Sequence, residues 1–449
     1  MANFSKSNVP QFSVDIYQNE FLPEGGREVN AIVTVTSTGG GTTGGLPLAT
    51  HAPGDVPGSA AGAAVVIMVD CSGSMDYPPT KMRSAREATA AAIDTIRDGV
   101  AFAVVAGTHL AKEVYPANGG LAVADPATRH QAKEALRRLG SGGGTAIGSW
   151  LRLANRLLST AEVSIRHGIL LTDGRNEHEK PEQLRAALDS CAGRFTCDAR
   201  GVGTDWEVKE LTGIASALLG TVDIVADPSG LEADFRRMME TTMGKEVADV
   251  ALRVWTPQGA EIQYVKQVAP TVEDLTARRT EAGPRAGDYP TGSWGDESRD
   301  YHVNVVVPAA GVGQEMLAAR ISLVLPQPDG TPRVLGQGLV RALWTDDMAA
   351  STRINPQVAH YTGQAELAQV IQQGLEARKQ GDLDSATAKL GRAVQLASAS
   401  GNDDTAKLLA KVVDVVDAAT GTVRLKARVA DADEMTLETR STKTVRVKK

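Results

Sequence analysis

Between residues 63 and 244 the sequence alternates strand-like and helix-like segments without a break, and this alternation constrains the fold more than any other feature. AVVIMVD, ending at Asp70, is a continuous apolar run closed by a carboxylate, as a strand buried on both faces requires. KMRSAREATAAAIDTIRDG follows, with Met82, Ala85, Ala92, Ile93 and Ile96 on one helical face and Gly99 as a stop. AFAVVAG, GILLTD, CDARGVG and TVDIVAD repeat the strand signal. PATRHQAKEALRRLG, TAIGSWLRLANRLLS, PEQLRAALDSCA, VKELTGIASALLG and SGLEADFRRMMETTMG repeat the helical one. Such a succession predicts an α/β domain with a doubly wound, mostly parallel sheet covered by helices on both faces.

The flanks read differently. FSVDIYQ and VNAIVTVTS, within 11–37, alternate as half-buried strands, and so do VADVALRVWTP, EIQYVKQV, DYHVNVVVP and AARISLVLP within 247–346. The early strands lack partners of their own. They are expected to join the later ones in a β-sandwich, into which the α/β domain at 63–244 is inserted. Residues 38–62, rich in Gly, Pro and Thr, read as a flexible linker. Residues 358–420 predict a small three-helix bundle, with Leu367, Val370, Ile371 and Leu375 on one stripe and Gly381 and Gly401 as breaks. Residues 421–449 end in LETRSTKTVRVKK, which is basic, rich in Thr and without an apolar face, and read as a disordered tail.

Composition excludes several function classes. The 449 residues carry 47 Lys and Arg against 54 Asp and Glu, a net charge of −7, which disfavours nucleic acid as a partner. No apolar run reaches the ~18 residues that span a bilayer, and MANFSKSNVPQF has no signal-peptide core, so no membrane partner and a cytoplasmic setting are expected. Three cysteines, Cys71, Cys191 and Cys197, make no disulfide framework; reduced thiols are expected, with a Cys191–Cys197 pair as the alternative.

The chemistry concentrates at strand ends. Asp70, Ser72 and Ser74 form D-x-S-x-S after the first buried strand, Thr145 lies in the glycine-rich GSGGGTAIG, and Asp173 follows GILLT. Ligands of open α/β sheets bind at the carboxyl ends of strands. Hydroxyl and carboxylate oxygens are hard donors, suited to Mg²⁺, with Mn²⁺ or Ca²⁺ as alternatives, rather than to zinc. Three neutral donors would leave the ion electrophilic enough to take a further anionic oxygen, such as a partner's Asp or Glu carboxylate. No P-loop, zinc spacing, nucleophile elbow or nucleophile–base pair is present, so a non-enzymatic role is expected.

With these residues in hand, the chain resembles the von Willebrand factor A domains and their metal-ion-dependent adhesion site, in a bacterial type with a flanking β-sandwich and C-terminal helices. Asp70, Ser72, Ser74, Thr145 and Asp173 match all five positions of that motif in order. The resemblance implies a Rossmann-like domain that binds protein partners through Mg²⁺. The insertion in a sandwich is similar in topology to integrin β chains. Asp76 stands near the place where some integrin-like domains bind a second metal, though a solvated loop residue is the favoured reading; with Glu177 and His178 it would rim the ligand face. The tail is similar to those of some bacterial relatives associated with Ser/Thr kinases, phosphatases and forkhead-associated proteins. That likeness makes Thr439, Thr442 and Thr444, beside Thr436 and Ser441, candidates for phosphorylation. Other relatives serve as accessory subunits of AAA+ ATPases of the chelatase or MoxR-like type, an alternative function here; a metal-dependent hydrolase is the third reading.

Overall fold

β1 (Gln11–Gln18), the short β2 (Phe21–Pro23) and β3 (Glu28–Thr38) open the computed structural model, which describes residues 10–38, 62–327 and 330–447. Most of the expected linker, at 39–61, lies outside the described residues, as do residues 1–9. The described chain forms two units, one of residues 62–248 and one of 10–38 with 249–447.

The first unit begins with β4 (Ala63–Asp70), buried at every position. α1 (Thr80–Thr95), β5 (Ala101–Gly107), β6 (Ala111–Tyr115), β7 (Ala122–Val123), α2 (Pro126–Leu136) and α3 (Ile147–Leu158) follow. β8 (Ile165–Thr172), α4 (Pro181–Cys191), β9 (Thr196–Val202), α5 (Val208–Ala217), β10 (Val222–Val225) and α6 (Leu231–Met243) complete it. The sheet runs β10-β9-β8-β4-β5-β6, with β7 beside β5. β10, β9, β8, β4 and β5 are parallel, and β6 is antiparallel at the edge. This is the doubly wound α/β architecture. Val65, Ile67 and Val69 of β4 pack with Met82, Ile93, Leu231 and Phe235 of α1 and α6 in one core. Trp150, Leu151, Leu157 and Leu158 of α3 are also buried, so apolar helical faces are lost from water on both sides. The chain leaves β4 toward β5 and returns to β8 on the opposite side. The sheet therefore changes winding direction between β4 and β8, and a crevice opens at their carboxyl ends.

The second unit carries β11 (Val247–Trp255), β12 (Glu261–Ala269), β13 (Glu273–Asp274), β14 (Thr280–Glu281), β15 (Ala286–Trp294), β16 (Glu297–Val306), β17 (Glu315–Leu325) and β18 (Arg333–Thr345). One sheet is ordered β1-β3-β16-β12-β13 and the other β14-β15-β11-β17-β18-β2. β3 pairs with β16 from Glu28↔Val306 to Ser37↔Glu297, so N-terminal and late strands share one ladder. β1–β3, β3–β16, β16–β12, β12–β13, β14–β15, β11–β17 and β17–β18 pair antiparallel, and β2 runs parallel to β18. They meet where Gly336 and Gly338 leave room for β1: a Cβ on Gly338 would lie 2.6 Å from Ile16.

α7 (Met348–Ser351), α8 (Pro356–Lys379), α9 (Leu383–Ser400) and α10 (Asp403–Val412) follow. α8 lays Tyr361 against Ile32, Val268 and Ala269 of the first sheet. Two expectations need correction. The third helix stops at Val412, and Val413 begins a hairpin, β19 (Val413–Asp417) and β20 (Thr422–Leu425). The β-branched run KVVDVV favours a strand there, and Gly421 (φ +71) supplies the left-handed turn residue. The expected disordered tail is ordered instead. α11 (Asp431–Arg440) buries Leu437 and Thr439, with Asp431, Asp433 and Glu434 in its first turn and Arg440 in its last, the charge order that suits a helix dipole. Residues 442–444 then run beside residues 268–272: the amide of Val272 donates to the carbonyl of Thr442 (2.8 Å), and that of Thr444 to the carbonyl of Pro270 (3.0 Å). Arg446 reaches the buried carboxylate of Asp300 at 3.1 Å.

Candidate metal centre

The loop after β4 is stitched by backbone hydrogen bonds to the end of β5 and to the glycine-rich loop between α2 and α3. Cys71 N donates to the Gly107 carbonyl (2.7 Å), Gly142 N to Cys71 (2.8 Å) and Gly73 N to Gly143 (2.9 Å). Glycines suit this close approach: Gly142 (φ +156) and Gly143 (φ +83) take backbone angles that other residues avoid.

Within this frame the expected side chains converge. Asp70, fully buried, accepts from the Ser72 amide (2.8 Å) with Oδ1 and from the Thr172 hydroxyl (2.6 Å) with Oδ2. The hydroxyls of Ser72 and Ser74 are 2.9 Å apart, and Ser74 donates to Asp173 Oδ1 (2.6 Å). A Cβ on Gly174 would lie 3.2 Å from Ser74 Oγ and 3.6 Å from Thr145 Oγ1, so Thr145 faces the same point as Ser74. Asp70, Asp173, Ser72 and Thr145 are buried, whereas Ser74 is exposed and forms the mouth. Burial pushes the Asp70 carboxyl up to about 6; the hydrogen bonds from Ser72 and Thr172 offset part of that rise.

Two residues at this place carry no signal in the sequence motif. Thr172 is the hydroxyl that satisfies Asp70, one position before Asp173. Lys81, in the first turn of α1, is 5% exposed and donates to Asp173 Oδ2 (2.8 Å) and to Asp205 Oδ2 (3.4 Å). Its periodicity reads as an ordinary helical surface position, so only the fold reveals it.

The rim residues separate. His178 is exposed, and its backbone amide donates to the Thr145 carbonyl (3.0 Å) while its Nδ1 accepts from the Thr145 amide (3.3 Å). It therefore fastens the threonine loop. Glu177 is exposed. Asp76 is exposed and accepts a short hydrogen bond from the Ser141 hydroxyl, which ties the serine loop to the glycine-rich one. Glu179 turns inward: it accepts from the Gly148 amide (2.8 Å), while Asn176 accepts from the Ile147 amide (2.8 Å), so together they cap the N-terminus of α3.

The tail hydroxyls are not on a free segment. Thr439 is 4% exposed within α11, and the Thr444 hydroxyl donates to the Val268 carbonyl (2.7 Å). Thr442 and Thr444 are partly buried along the strap. This corrects the expectation that Thr439, Thr442 and Thr444 stand open to a kinase, because the backbone partners at 268–272 were not legible in the tail itself.

The donor set suits a hard divalent ion. Three hydroxyls and two carboxylates meet in one crevice, and the one thiol nearby, Cys71, belongs to the apolar core, where burial pushes it up to about 12. Among the described residues no group of three or more His, Cys, Asp or Glu gathers as a metal site, so the crevice stands apart by its hydroxyls, with two carboxylates only. Cys71, Cys191 and Cys197 are all free and buried. No described helix is long and apolar enough to cross a membrane.

Comparison with known proteins follows the same division of the chain. The family model described as von Willebrand factor type A domain matches residues 63–224, and the one described as von Willebrand factor type A C-terminal domain matches residues 395–441. A solved structure, von Willebrand factor type A from Catenulispora acidiphila, is 53% identical over 99% of this chain and 99% of that chain, with a TM-score of 0.91. The crystal structure of the ArnB paralog VWA2 from Sulfolobus acidocaldarius covers 96% of this chain and 98% of that chain at TM-score 0.60 and 14% identity, a likeness of fold alone. None of the curated proteins matches the chain.

Proposed function

Because the chain belongs to the von Willebrand factor type A family, whose members often mediate metal-dependent protein interactions, we propose that it binds a protein partner through a divalent ion held at the β4–β8 crevice. The observation that carries this reading is the convergence of Ser72, Ser74 and Asp173 in one hydrogen-bonded chain, with Thr145 facing the same glycine. Ser72, Ser74 and Thr145 would supply neutral oxygens. Asp70 and Asp173, whose oxygens already accept from protein donors, would hold bound water or bind directly. The ion, Mg²⁺ with Mn²⁺ or Ca²⁺ as alternatives by the hardness of the donors, would supply Lewis acidity toward an anionic oxygen of the partner.

The site opens beside apolar side chains that suit protein contact. Tyr77, just after the serine loop, is 82% exposed, and Leu110, beyond β5, is 66% exposed. A partner that offers an Asp or Glu next to an apolar residue would engage both features. A cytoplasmic setting belongs to this reading, and the three buried, unpaired thiols fit it.

The test is a pull-down from host lysate in Mg²⁺ and in EDTA, with Thr145→Ala as a third arm. The partner should be retained in Mg²⁺ and lost in the other two arms, while Thr145→Ala keeps the wild-type circular dichroism. The same partners in all three arms would move the function away from this crevice.

A further inference from the structure

Lys81 is costly where it stands. It is a cation in the first turn of α1, the end of a helix that favours anions, and its side chain is 6% exposed. The stem runs past Gly203, where a Cβ would lie 3.7 Å from Cε. The ammonium then sits 2.8 Å from Asp173 and 3.4 Å from the exposed Asp205. Asp173 is thereby fixed from both sides, Oδ1 by the Ser74 hydroxyl and Oδ2 by the ammonium.

The charge count gives this arrangement a consequence. Asp70 and Asp173 contribute two negative charges when ionised, and Lys81 returns one positive charge. Among the buried groups a divalent ion would leave the crevice at +1, where the carboxylates alone would leave it neutral; Asp205, 71% exposed at its side chain, is screened by solvent and offsets little of that charge. We propose that Lys81 is a positioning residue that weakens divalent-ion binding by the free protein and adds positive charge that attracts a carboxylate ligand, so that the ion is held well only when ion and partner are taken up together. Asp205 gives the ammonium a second carboxylate within reach, so the lysine keeps a partner if Asp173 turns toward the ion. Coupling of this kind is reciprocal: whatever the carboxylate does for ion affinity, the ion does for carboxylate affinity. The inference rests on the metal-binding reading above and names what regulates that same site.

The experiment is a Mn²⁺ titration of the full chain, followed by calorimetry or by electron paramagnetic resonance of free Mn²⁺. It is run in sodium chloride and then with part of the chloride replaced by acetate at constant ionic strength. Wild type should bind Mn²⁺ more tightly in acetate than in chloride. Lys81→Met, which keeps the buried stem, should bind Mn²⁺ roughly tenfold more tightly than wild type in chloride, equivalent to about 1.4 kcal/mol, and should gain little from acetate. Lys81→Arg should stay close to wild type. Lys81→Gln replaces the methionine variant should that variant fail to fold. Equal or weaker Mn²⁺ binding by the neutral variant, with wild type binding normally, would overturn the role of Lys81 alone. Absence of Mn²⁺ binding in both proteins would overturn the metal-binding reading beneath it.

Discussion

Asp70 carries an electrostatic cost at the site. Its carboxyl is fully buried and sits at about 6, against 3.8 for the free side chain. Between these two values the folded protein holds a proton that the unfolded chain has released. Stability of the metal-free protein therefore falls as pH rises from about 4 to about 6, by roughly 3 kcal/mol at most. Urea unfolding in EDTA at pH 4, 5, 6 and 7 should show this loss in wild type relative to Asp70→Asn, which cannot titrate. A constant difference between the two proteins across the window would rule the shift out. Added Mg²⁺ competes with that proton, so its stabilising effect should grow through the same range. At this scale the sequence displays the donors but not what holds them. Asp70, Ser72, Ser74, Thr145 and Asp173 stand out by type and by position at strand ends. Lys81 does not, because KMRSARE reads as a polar helix start, and its target lies 92 residues away. Glu179 sits among apparent rim residues, yet its role as a helix cap depends on where α3 begins.

Among the elements, α9 and the β19–β20 hairpin show how far a single atom decides packing. A Cβ on Gly391 of α9 would lie 2.3 Å from the Gly421 carbonyl, and one on Gly421 would lie 2.5 Å from the Gly391 carbonyl. The obstacle is backbone on both sides and cannot rotate away. Gly391→Ala should cost about 1–3 kcal/mol in a thermal or urea melt. Gly363→Ala on α8, where no atom lies within 4 Å, should be neutral or stabilising by up to about 1 kcal/mol. A silent Gly391→Ala would mean that the hairpin does not rest on α9. The strands and helices of the α/β unit are legible because each carries its own period and is long enough to express it. The C-terminal elements are less so. VVDVVD extends a helical pattern by composition, and only its pairing with TVRL turns it into a strand. α11 shows its acidic start and basic end in the sequence, but the strap after it acquires order only from residues 268–272 and from Asp300.

For the whole molecule, the division into residues 62–248 and the remainder predicts independence of the inserted unit. Its core joins β4, β5, β8, α1, α2 and α6. Residues 62–246 expressed alone should unfold in one cooperative transition and bind Mn²⁺ as the full chain does. A molten spectrum for that fragment, with retained helicity but no near-ultraviolet signal, would refute this. The β-sandwich has no such autonomy, because Ser37 of β3 pairs with Glu297 of β16, about 260 residues later. At ribosomal rates of about 5–20 residues per second, β1 and β3 leave the ribosome on the order of 10–50 s before their partner strand exists. For that time they form at best a lone hairpin, marginal in water, with one edge of β3 open. Synthesis thus imposes a schedule on this chain. The inserted unit can close while its first strands wait, and those waiting strands are where a chaperone, or another nascent copy, would find the molecule unfinished.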